Sequence, residues 1–176
     1  MKLFLIGMPG SGKTTLGQQL ATHLQLPLID LDEEIVEAAG KSIKAIFEQE
    51  GENYFRTLES ELLKKNTDTQ PNFVMATGGG TPCFFDNMDA MKKAGVVVFL
   101  NTSLQTIQNR LAGQEITKRP LMKDVDLNQF IISFQTKFEQ RMPIYLQADI
   151  CLDENQQHVK KVEKLIQVVL KRNPNR

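Results

Sequence analysis

The chain has 176 residues, with 21 Lys plus Arg balanced by 21 Asp plus Glu. This length is typical of a single domain, here residues 1–176, that buries about two-thirds of its unfolded surface. The balanced charge gives no support for a nucleic-acid partner, and no stretch approaches the ~20 apolar residues of a membrane-spanning helix. We therefore expect a cytoplasmic protein with neither nucleic-acid nor membrane partners, and a monomer is the simplest expectation.

The first predicted element is a strand over residues 3–6, which leads directly into GMPGSGKT at 7–14. The strand is too short, and too soon interrupted by Gly and Pro, to be a signal peptide. The octet satisfies G-x-x-x-x-G-K-[ST], the P-loop pattern, in which backbone N–H groups and a helix N-terminus surround a phosphate chain. We expect Lys13 to reach the β- and γ-phosphates and Thr14 to ligate Mg²⁺. A glycine turn that binds nothing would have no reason to carry Lys and Thr at these positions.

A helix to about residue 25 and a second strand follow, and the strand ends in Asp30-Leu31-Asp32. Alternation along an extended segment would point both carboxylates the same way. Either aspartate could instead cap the helix predicted from about residue 33.

Two further helices are predicted before residue 66, and Ser42 is a candidate cap for the first. The second presents Phe55, Leu58 and Leu62 to the core, which turns Arg56 about 100° from Phe55, toward a rim or cleft. Residues 66–71 are polar and predict a surface loop.

A buried strand over 73–76 precedes Thr77-Gly78-Gly79-Gly80. Three adjacent glycines are costly in conformational entropy, so they favour a place where backbone approaches a ligand. A helix over about 86–94, a strand over 96–100 and a helix capped by Ser103 come next. Residues 113–123 lack periodicity and predict a mobile cover.

The strongest amphipathic pattern begins at residue 127 and predicts a helix that ends near 141–143. Its aromatic residues Phe130, Phe134 and Phe138 are predicted to be core. A strand over 150–152 and a last helix follow. Cys83 and Cys151 lack metal-site spacing and are expected to be reduced and packed. Alternating strands and helices predict an α/β fold with a parallel sheet of about five strands.

The motifs, in their order and spacing, resemble those of the shikimate kinases over nearly the whole chain. They are GMPGSGKTT, Asp30-Leu31-Asp32, Phe55-Arg56, TGGG at 77–80, Arg119-Pro120-Leu121, and Arg141 with Tyr145. The resemblance implies a three-layer P-loop kinase fold, with helices on both faces of the sheet. It implies a substrate-binding helical segment over about 32–65 and a mobile lid over about 112–124. The implied reaction is ATP-dependent phosphorylation of the 3-hydroxyl of shikimate, a step toward chorismate and the aromatic amino acids.

The resemblance also implies roles for individual residues. The implied ATP site comprises Gly10, Ser11, Gly12, Lys13, Thr14, Thr15, Arg110, Arg119 and Asn155, with Mg²⁺ held by Thr14 and, through water, by Asp30. The implied shikimate site comprises Asp32, Arg56, Gly78, Gly79, Gly80 and Arg141. Lys13, Asp32 and Arg119 are the expected catalytic residues. Asp32 would accept a hydrogen bond from the attacking hydroxyl, and Lys13 and Arg119 would meet developing charge on the phosphoryl oxygens.

Other interpretations remain open. A gluconate kinase or nucleoside monophosphate kinase would share the P-loop and lid but would not call for Asp32, Arg56, the triple glycine and Arg141 together. A nucleotide-dependent switch would need only the P-loop, although this chain lacks the Asn-Lys-x-Asp element of guanine-specific switches. Arg56 could be a solvated helix residue, and Arg141 could interact with a helix C-terminus.

Overall fold

The centre of the fold is a parallel sheet of five strands in the computed structural model, which describes residues 1–110 and 127–172. The strands are β1 (Lys2–Ile6), β2 (Leu28–Asp30), β3 (Phe73–Ala76), β4 (Val96–Asn101) and β5 (Ile150–Asp153). Their order is β2-β3-β1-β4-β5, and every neighbouring pair is parallel. The predicted α/β fold with a parallel sheet is confirmed.

Helices cover both faces of the sheet. They are α1 (Lys13–Leu24), α2 (Leu31–Ala39), α3 (Ile43–Gln49), α4 (Gly51–Thr69), α5 (Asn87–Ala94), α6 (104–110), α7 (Leu127–Tyr145) and α8 (Val159–Arg172). Leu3 and Leu5 of β1 pack in a core with residues of α1 and α8, whereas Phe4 and Ile6 pack in a second core with residues of α2 to α7. Because successive strand residues face opposite sides, β1 serves both cores and the protein has three layers.

The topology brings three loops together at one edge of the sheet. Strand β1 lies between β3 and β4, and the chain leaves β1 to form β2 on the far side of β3. The loop after β1 therefore lies at the point where the winding direction changes, next to the loops after β3 and β4. Ligands of open parallel sheets bind in this crevice.

Two predicted boundaries were wrong. Helix α4 continues to Thr69, so residues 66–69 are helical, and Asn66 is buried with its Nδ2 donating to the Leu62 carbonyl at 3.0 Å. Helix α7 continues through Pro143 to Tyr145. Tyr145 is fully buried with its ring centroid 5.0 Å from that of Phe99, and this packing outweighs the local break signal.

Several local predictions were confirmed. The Ser42 and Ser103 hydroxyls accept hydrogen bonds from backbone N–H groups three residues later, which is the expected capping geometry. Phe134 is buried and Phe138 packs partly buried against the same core, whereas the side chain of Phe130 lies outside the described part of the chain. Both cysteines are free thiols, but Cys151 is exposed, not packed, because it faces outward from edge strand β5.

The predicted lid over 112–124, and with it Arg119, lies outside the described residues. Within 1–110 and 127–172, none of the helices combines the length and apolar character needed to cross a bilayer.

Candidate active site

The P-loop forms one wall of a cavity of about 550 Å³ at the N-terminus of α1. Gly7, Gly10 and Gly12 have φ values of 145°, 80° and 102°, a region that side chains with a Cβ rarely adopt. The cavity is lined by residues 10–16 together with Gln19, Arg110 and Gln157. Gly12 carries no side chain that could cap α1, so the first N–H groups of this helix remain available to an anion.

Lys13 is the buried cation of this cavity. Its Nζ donates to the Gly7 and Met8 carbonyls at 3.0 and 2.9 Å, and the residue is 9% exposed. Burial lowers the pKa of Lys13 to about 8, an effect that Asp32 and Asp30 oppose and Arg141 reinforces. The ammonium group is therefore predominantly charged at neutral pH and loses its proton in mildly alkaline solution.

Asp30 connects the P-loop to α2. One carboxylate oxygen accepts from the Thr14 hydroxyl at 2.9 Å, and the other accepts from the backbone N–H of Asp32 at 3.1 Å. Asp30 is thus the N-cap of α2, which begins at Leu31. The expectation that Asp30-Leu31-Asp32 is extended was wrong because this cap starts the helix at once, as the alternative interpretation allowed for one of the aspartates.

Asp32 lies in the first turn of α2, close to Asp30, Lys13, Glu59 and Arg56. Its pKa is raised, first by burial and then by the carboxylates of Asp30 and Glu59, while Lys13 and Arg56 oppose the rise. A carboxylate so placed is a stronger proton acceptor than one in water, which suits a group that must orient or deprotonate a hydroxyl.

Each glycine of the triple-glycine loop approaches one predicted acceptor residue. A Cβ placed on Gly78 would lie 3.0 Å from Asp32 Oδ1, and one on Gly80 would lie 2.7 Å from both terminal nitrogens of Arg56. On Gly79 it would lie 3.2 Å from Arg141 Nη1 and 2.6 Å from Pro9 of the P-loop. The structure therefore brings together all the predicted acceptor residues, beside the P-loop.

Arg56 is buried and held by two carboxylates, so it is not a solvated helix residue. Its Nε and Nη2 donate to Glu52 Oε1, each at 3.2 Å, and its Nη1 donates to Glu59 Oε2 at 2.8 Å. Glu59 is completely buried and also accepts from the Thr81 hydroxyl at 2.6 Å. These bonds use three of the five guanidinium N–H groups and leave two for a ligand.

Arg141 on α7 is a half-buried cation beside the same loop. Its Nη1 lies 3.9 Å from Met8 Sδ, and it forms no ion pair with a carboxylate among the residues that the structure describes. One turn later, the Tyr145 hydroxyl donates to the Gly79 carbonyl at 2.5 Å. Burial raises the pKa of this phenol, so it remains a donor at any physiological pH. Tyr145 thus fixes α7 against the glycine loop. Because Arg141 has no carboxylate partner among the described residues, its charge is available to an anion.

Arg110, expected in the ATP site, lies against the P-loop, with its Nη1 donating to the Gly10 and Ser11 carbonyls at 3.1 and 3.0 Å. Asn155 does not reach this cavity. It is exposed and lines a separate depression with Asn101, Ser103, Asp153 and Glu154.

Gln157, which sequence reasoning missed, lines the P-loop cavity in place of Asn155. Its amide donates to the Thr102 hydroxyl at 3.1 Å, and that hydroxyl donates to the Ser11 carbonyl at 3.0 Å. The Ser11 hydroxyl itself is buried without a hydrogen-bond partner within residues 1–110 and 127–172. A buried polar atom of this kind fits a ligand that brings acceptor oxygens.

Comparison with known proteins agrees with this site, since a shikimate kinase family model matches residues 9–170. The chain belongs to the shikimate kinase family. A shikimate kinase from Persephonella marina is 41% identical over 148 residues, covering 84% of this chain and 85% of that one. Another from Sulfurihydrogenibium sp. is 38% identical over 170 residues, covering 97% and 98% of the two chains.

Solved shikimate kinases share the whole fold. The enzyme from Acinetobacter baumannii in complex with shikimate has a TM-score of 0.81 at 32% identity, over 98% of this chain and 94% of that chain. The enzyme from Bacteroides thetaiotaomicron has a TM-score of 0.77, also at 32% identity, over 97% and 96% of the two chains. The resemblance and the fold that the sequence predicted are confirmed.

Proposed function

We propose that this protein transfers the γ-phosphoryl group of ATP to the 3-hydroxyl of shikimate, giving shikimate 3-phosphate and ADP on the route to chorismate. The observation that carries the proposal is the close approach of the three successive glycines at 78–80 to Asp32, Arg141 and Arg56, beside the P-loop. A P-loop alone would serve any nucleotide enzyme, whereas this acceptor site offers one carboxylate and two guanidinium groups. Relatives named shikimate kinase, one of them solved with shikimate, support the same acceptor.

The two arginines of the acceptor site have different roles, because their charges are balanced differently. The Arg56 charge is already balanced by Glu52 and Glu59, whereas Arg141 has no carboxylate partner among the described residues. Arg141 therefore supplies most of the net attraction for the shikimate carboxylate, and the two remaining N–H groups of Arg56 orient it. Ionised Asp32 accepts a hydrogen bond from the attacking hydroxyl and is placed to take its proton.

The donor site fits ATP with Mg²⁺. Thr14 Oγ1 and Asp30 Oδ2, 2.9 Å apart at the mouth of the P-loop, are the hard oxygen donors that this ion prefers. In our proposal Thr14 ligates the ion and Asp30 holds one of its waters. When bound, Mg²⁺ neutralises charge on the phosphate oxygens. Lys13 and Arg119 are assigned to the transferring phosphoryl group, Arg110 covers the nucleotide, and lid closure excludes competing water.

Replacing Arg141 separates acceptor binding from nucleotide binding. We expect Arg141→Ala to raise the KM for shikimate by about 10- to 100-fold, because a charged hydrogen bond to the carboxylate is lost. The KM for ATP should stay within about twofold, because no part of Arg141 lines the P-loop cavity. Initial rates with each substrate varied in turn provide the measurement. Lys137→Ala, an exposed cation one turn earlier on α7, is the matched control. A collapse of ATP affinity in Arg141→Ala would contradict this map of the acceptor site.

Arg119, although outside the described residues, carries a distinct expectation. As the arginine assigned to the transferring phosphoryl group, its replacement by Ala should lower kcat by about 10²- to 10³-fold with little change in shikimate binding. Single-turnover rates and equilibrium titration with shikimate measure the two effects, with Lys118→Ala as the neighbouring control. Equal losses in kcat and in shikimate affinity would remove Arg119 from this role.

The proposed function is tested by ADP formation from ATP and Mg²⁺ with shikimate, gluconate or AMP offered separately. Of the three acceptors, we expect only shikimate to support turnover. Turnover with gluconate or AMP would identify a different kinase of the same fold. ATP binding without stimulation by any of the three would instead favour a nucleotide-dependent switch.

A further inference from the structure

Arg56 contacts two aromatic rings in addition to its carboxylate partners. Its central carbon lies 4.3 Å from the ring centroid of Phe84 and 4.8 Å from that of Phe55, in addition to the hydrogen bonds from its nitrogens to Glu52 and Glu59. Phe55 is a core residue of α4 that also packs on Phe47. Phe84 is different, because it comes from the half-buried loop that follows the triple glycine.

The backbone after Phe84 has an unusual conformation. Phe84 is extended, with φ −116° and ψ 147°, whereas Phe85 has a φ of 52°. A positive φ is costly for a bulky residue and persists only where the surroundings impose it. The Phe85 side chain is 65% exposed, so its own packing does not explain the conformation. The turn at Phe85 instead starts the approach to α5 and leaves the Phe84 ring over Arg56.

We propose that Phe84 is a positioning residue whose ring fixes the plane of the Arg56 guanidinium toward the shikimate carboxylate. Pairing of a guanidinium with a carboxylate depends on the orientation of its plane. The carboxylates of Glu52 and Glu59 hold the edges of the group, and Glu52 is more than half exposed, so its two bonds restrain the plane only loosely. The attraction between cation and aromatic face supplies the remaining restraint. This inference rests on the proposed function, which assigns the two remaining N–H groups of Arg56 to shikimate.

The test compares variants that remove the aromatic face with one that retains it. Phe84→Leu and Phe84→Met each keep an apolar side chain, so that one of them suffices should the other fold poorly. Each is expected to raise the KM for shikimate by about 3- to 10-fold, with kcat and the KM for ATP within about twofold of the starting protein. Phe84→Tyr retains the ring and should retain the original KM. Phe85→Leu, the same change one residue later and away from Arg56, is the matched control.

A second measurement tests whether the effect passes through Arg56. In an Arg56→Lys background, which lacks the planar guanidinium, Phe84→Leu should change the KM for shikimate less than about twofold. An unchanged shikimate KM in Phe84→Leu and Phe84→Met would overturn the inference, as would an equal rise for ATP or a Phe84→Tyr variant as impaired as Phe84→Leu. A fall in Tm alone, without the KM shift, would make Phe84 only a packing residue. Absence of shikimate turnover in the starting protein would instead overturn the proposed function itself.

Discussion

Asp32→Asn is expected to lower kcat by about 10²- to 10⁴-fold, because the amide neither accepts the proton of the attacking hydroxyl nor carries the charge that orients it. The KM for ATP should change little, since Asp32 is not among the residues lining the P-loop cavity. Initial rates under saturating ATP measure the effect. Glu33→Gln, an exposed carboxylate next along α2, is the matched control. Activity in Asp32→Asn close to that of the starting protein would exclude Asp32 as the proton acceptor.

The same substitution should stabilise the protein. The pKa of Asp32 is raised in the folded state above its ordinary value of 3.8, first by burial and then by Asp30 and Glu59. The folded state therefore holds this proton more tightly than the unfolded chain. As pH rises from the pKa of the unfolded chain through that of the folded state, ionisation of Asp32 lowers the free energy of unfolding. Asp32→Asn removes this loss, so its Tm at pH 7 should exceed that of the starting protein, and the difference should vanish below pH 3. A lower Tm at pH 7 would contradict the electrostatic account of the site.

Lys13→Met should have a comparably large effect on catalysis. The variant keeps the length and apolar stem of the side chain but removes the buried ammonium that we assign to the β- and γ-phosphates. The value of kcat/KM for ATP should therefore fall by about a thousandfold or more. Lys160→Met, an exposed lysine at the start of α8, is the control for loss of a charge. A fall of less than about tenfold would show that Lys13 does not contact the phosphates.

The lowered pKa of Lys13 also predicts how kcat/KM for ATP depends on pH. Because burial lowers its pKa to about 8, kcat/KM for ATP, which reports the free enzyme, should decline above pH 8. Bound phosphates favour the ammonium form, so the decline in kcat should come at higher pH. Lys13→Arg, whose guanidinium stays charged, should lack the decline in any residual activity. A kcat/KM for ATP that is flat from pH 7 to pH 10 would contradict the lowered pKa.

Deprotonation of Lys13 should also change the stability of the folded protein. Between pH 8 and pH 10.5 the unfolded chain retains the Lys13 proton and the folded state has lost it, so this group makes the free energy of unfolding rise with pH. Lys13→Met should therefore raise Tm at pH 7, and the gain should shrink as pH rises through this window. Thermal unfolding of both proteins at pH 7 and pH 10 measures it.

The sheet could be predicted from sequence because its strands are continuous apolar runs next to strong turn signals. Strands β1 and β3 each lead into a glycine-rich loop, and β4 ends shortly before the start of a helix. These signals fix where each strand ends to within a residue or two. The helix ends were less predictable. Asn66 is polar, yet it is buried on α4, and Pro143 lies within α7 because Tyr145 packs against Phe99. The Asn66 side-chain amide also donates to Glu34 Oε2 of α2 at 3.4 Å, so in both places contacts distant in sequence override local propensity.

The motifs indicated which residues the structure brings together around the glycine loop, but the interactions that hold these residues could not be predicted. Glu59 was missed although it occurs four residues after Phe55, on the apolar face of α4. A charged residue at a core position of a helix is the sequence signal for a buried ion pair. Gln157 carried no such signal, because its place in the P-loop cavity depends on how β5 and the turn after it pack beside β4. The choice between Asn155 and Gln157 therefore needed the structure.

The measurement that tests the central claim most directly is a competition among acceptors. Shikimate, gluconate and AMP at equal concentration are incubated with one protein sample, ATP and Mg²⁺, and the phosphorylated product is identified by phosphorus–proton correlation in NMR. The acceptor site described above predicts a single new phosphate ester, with its phosphorus coupled to the proton on carbon 3 of shikimate. A phosphate ester on gluconate or at another hydroxyl of shikimate would contradict it. Conversion of ATP and AMP into ADP would also contradict it, as would ADP and inorganic phosphate formed without any ester.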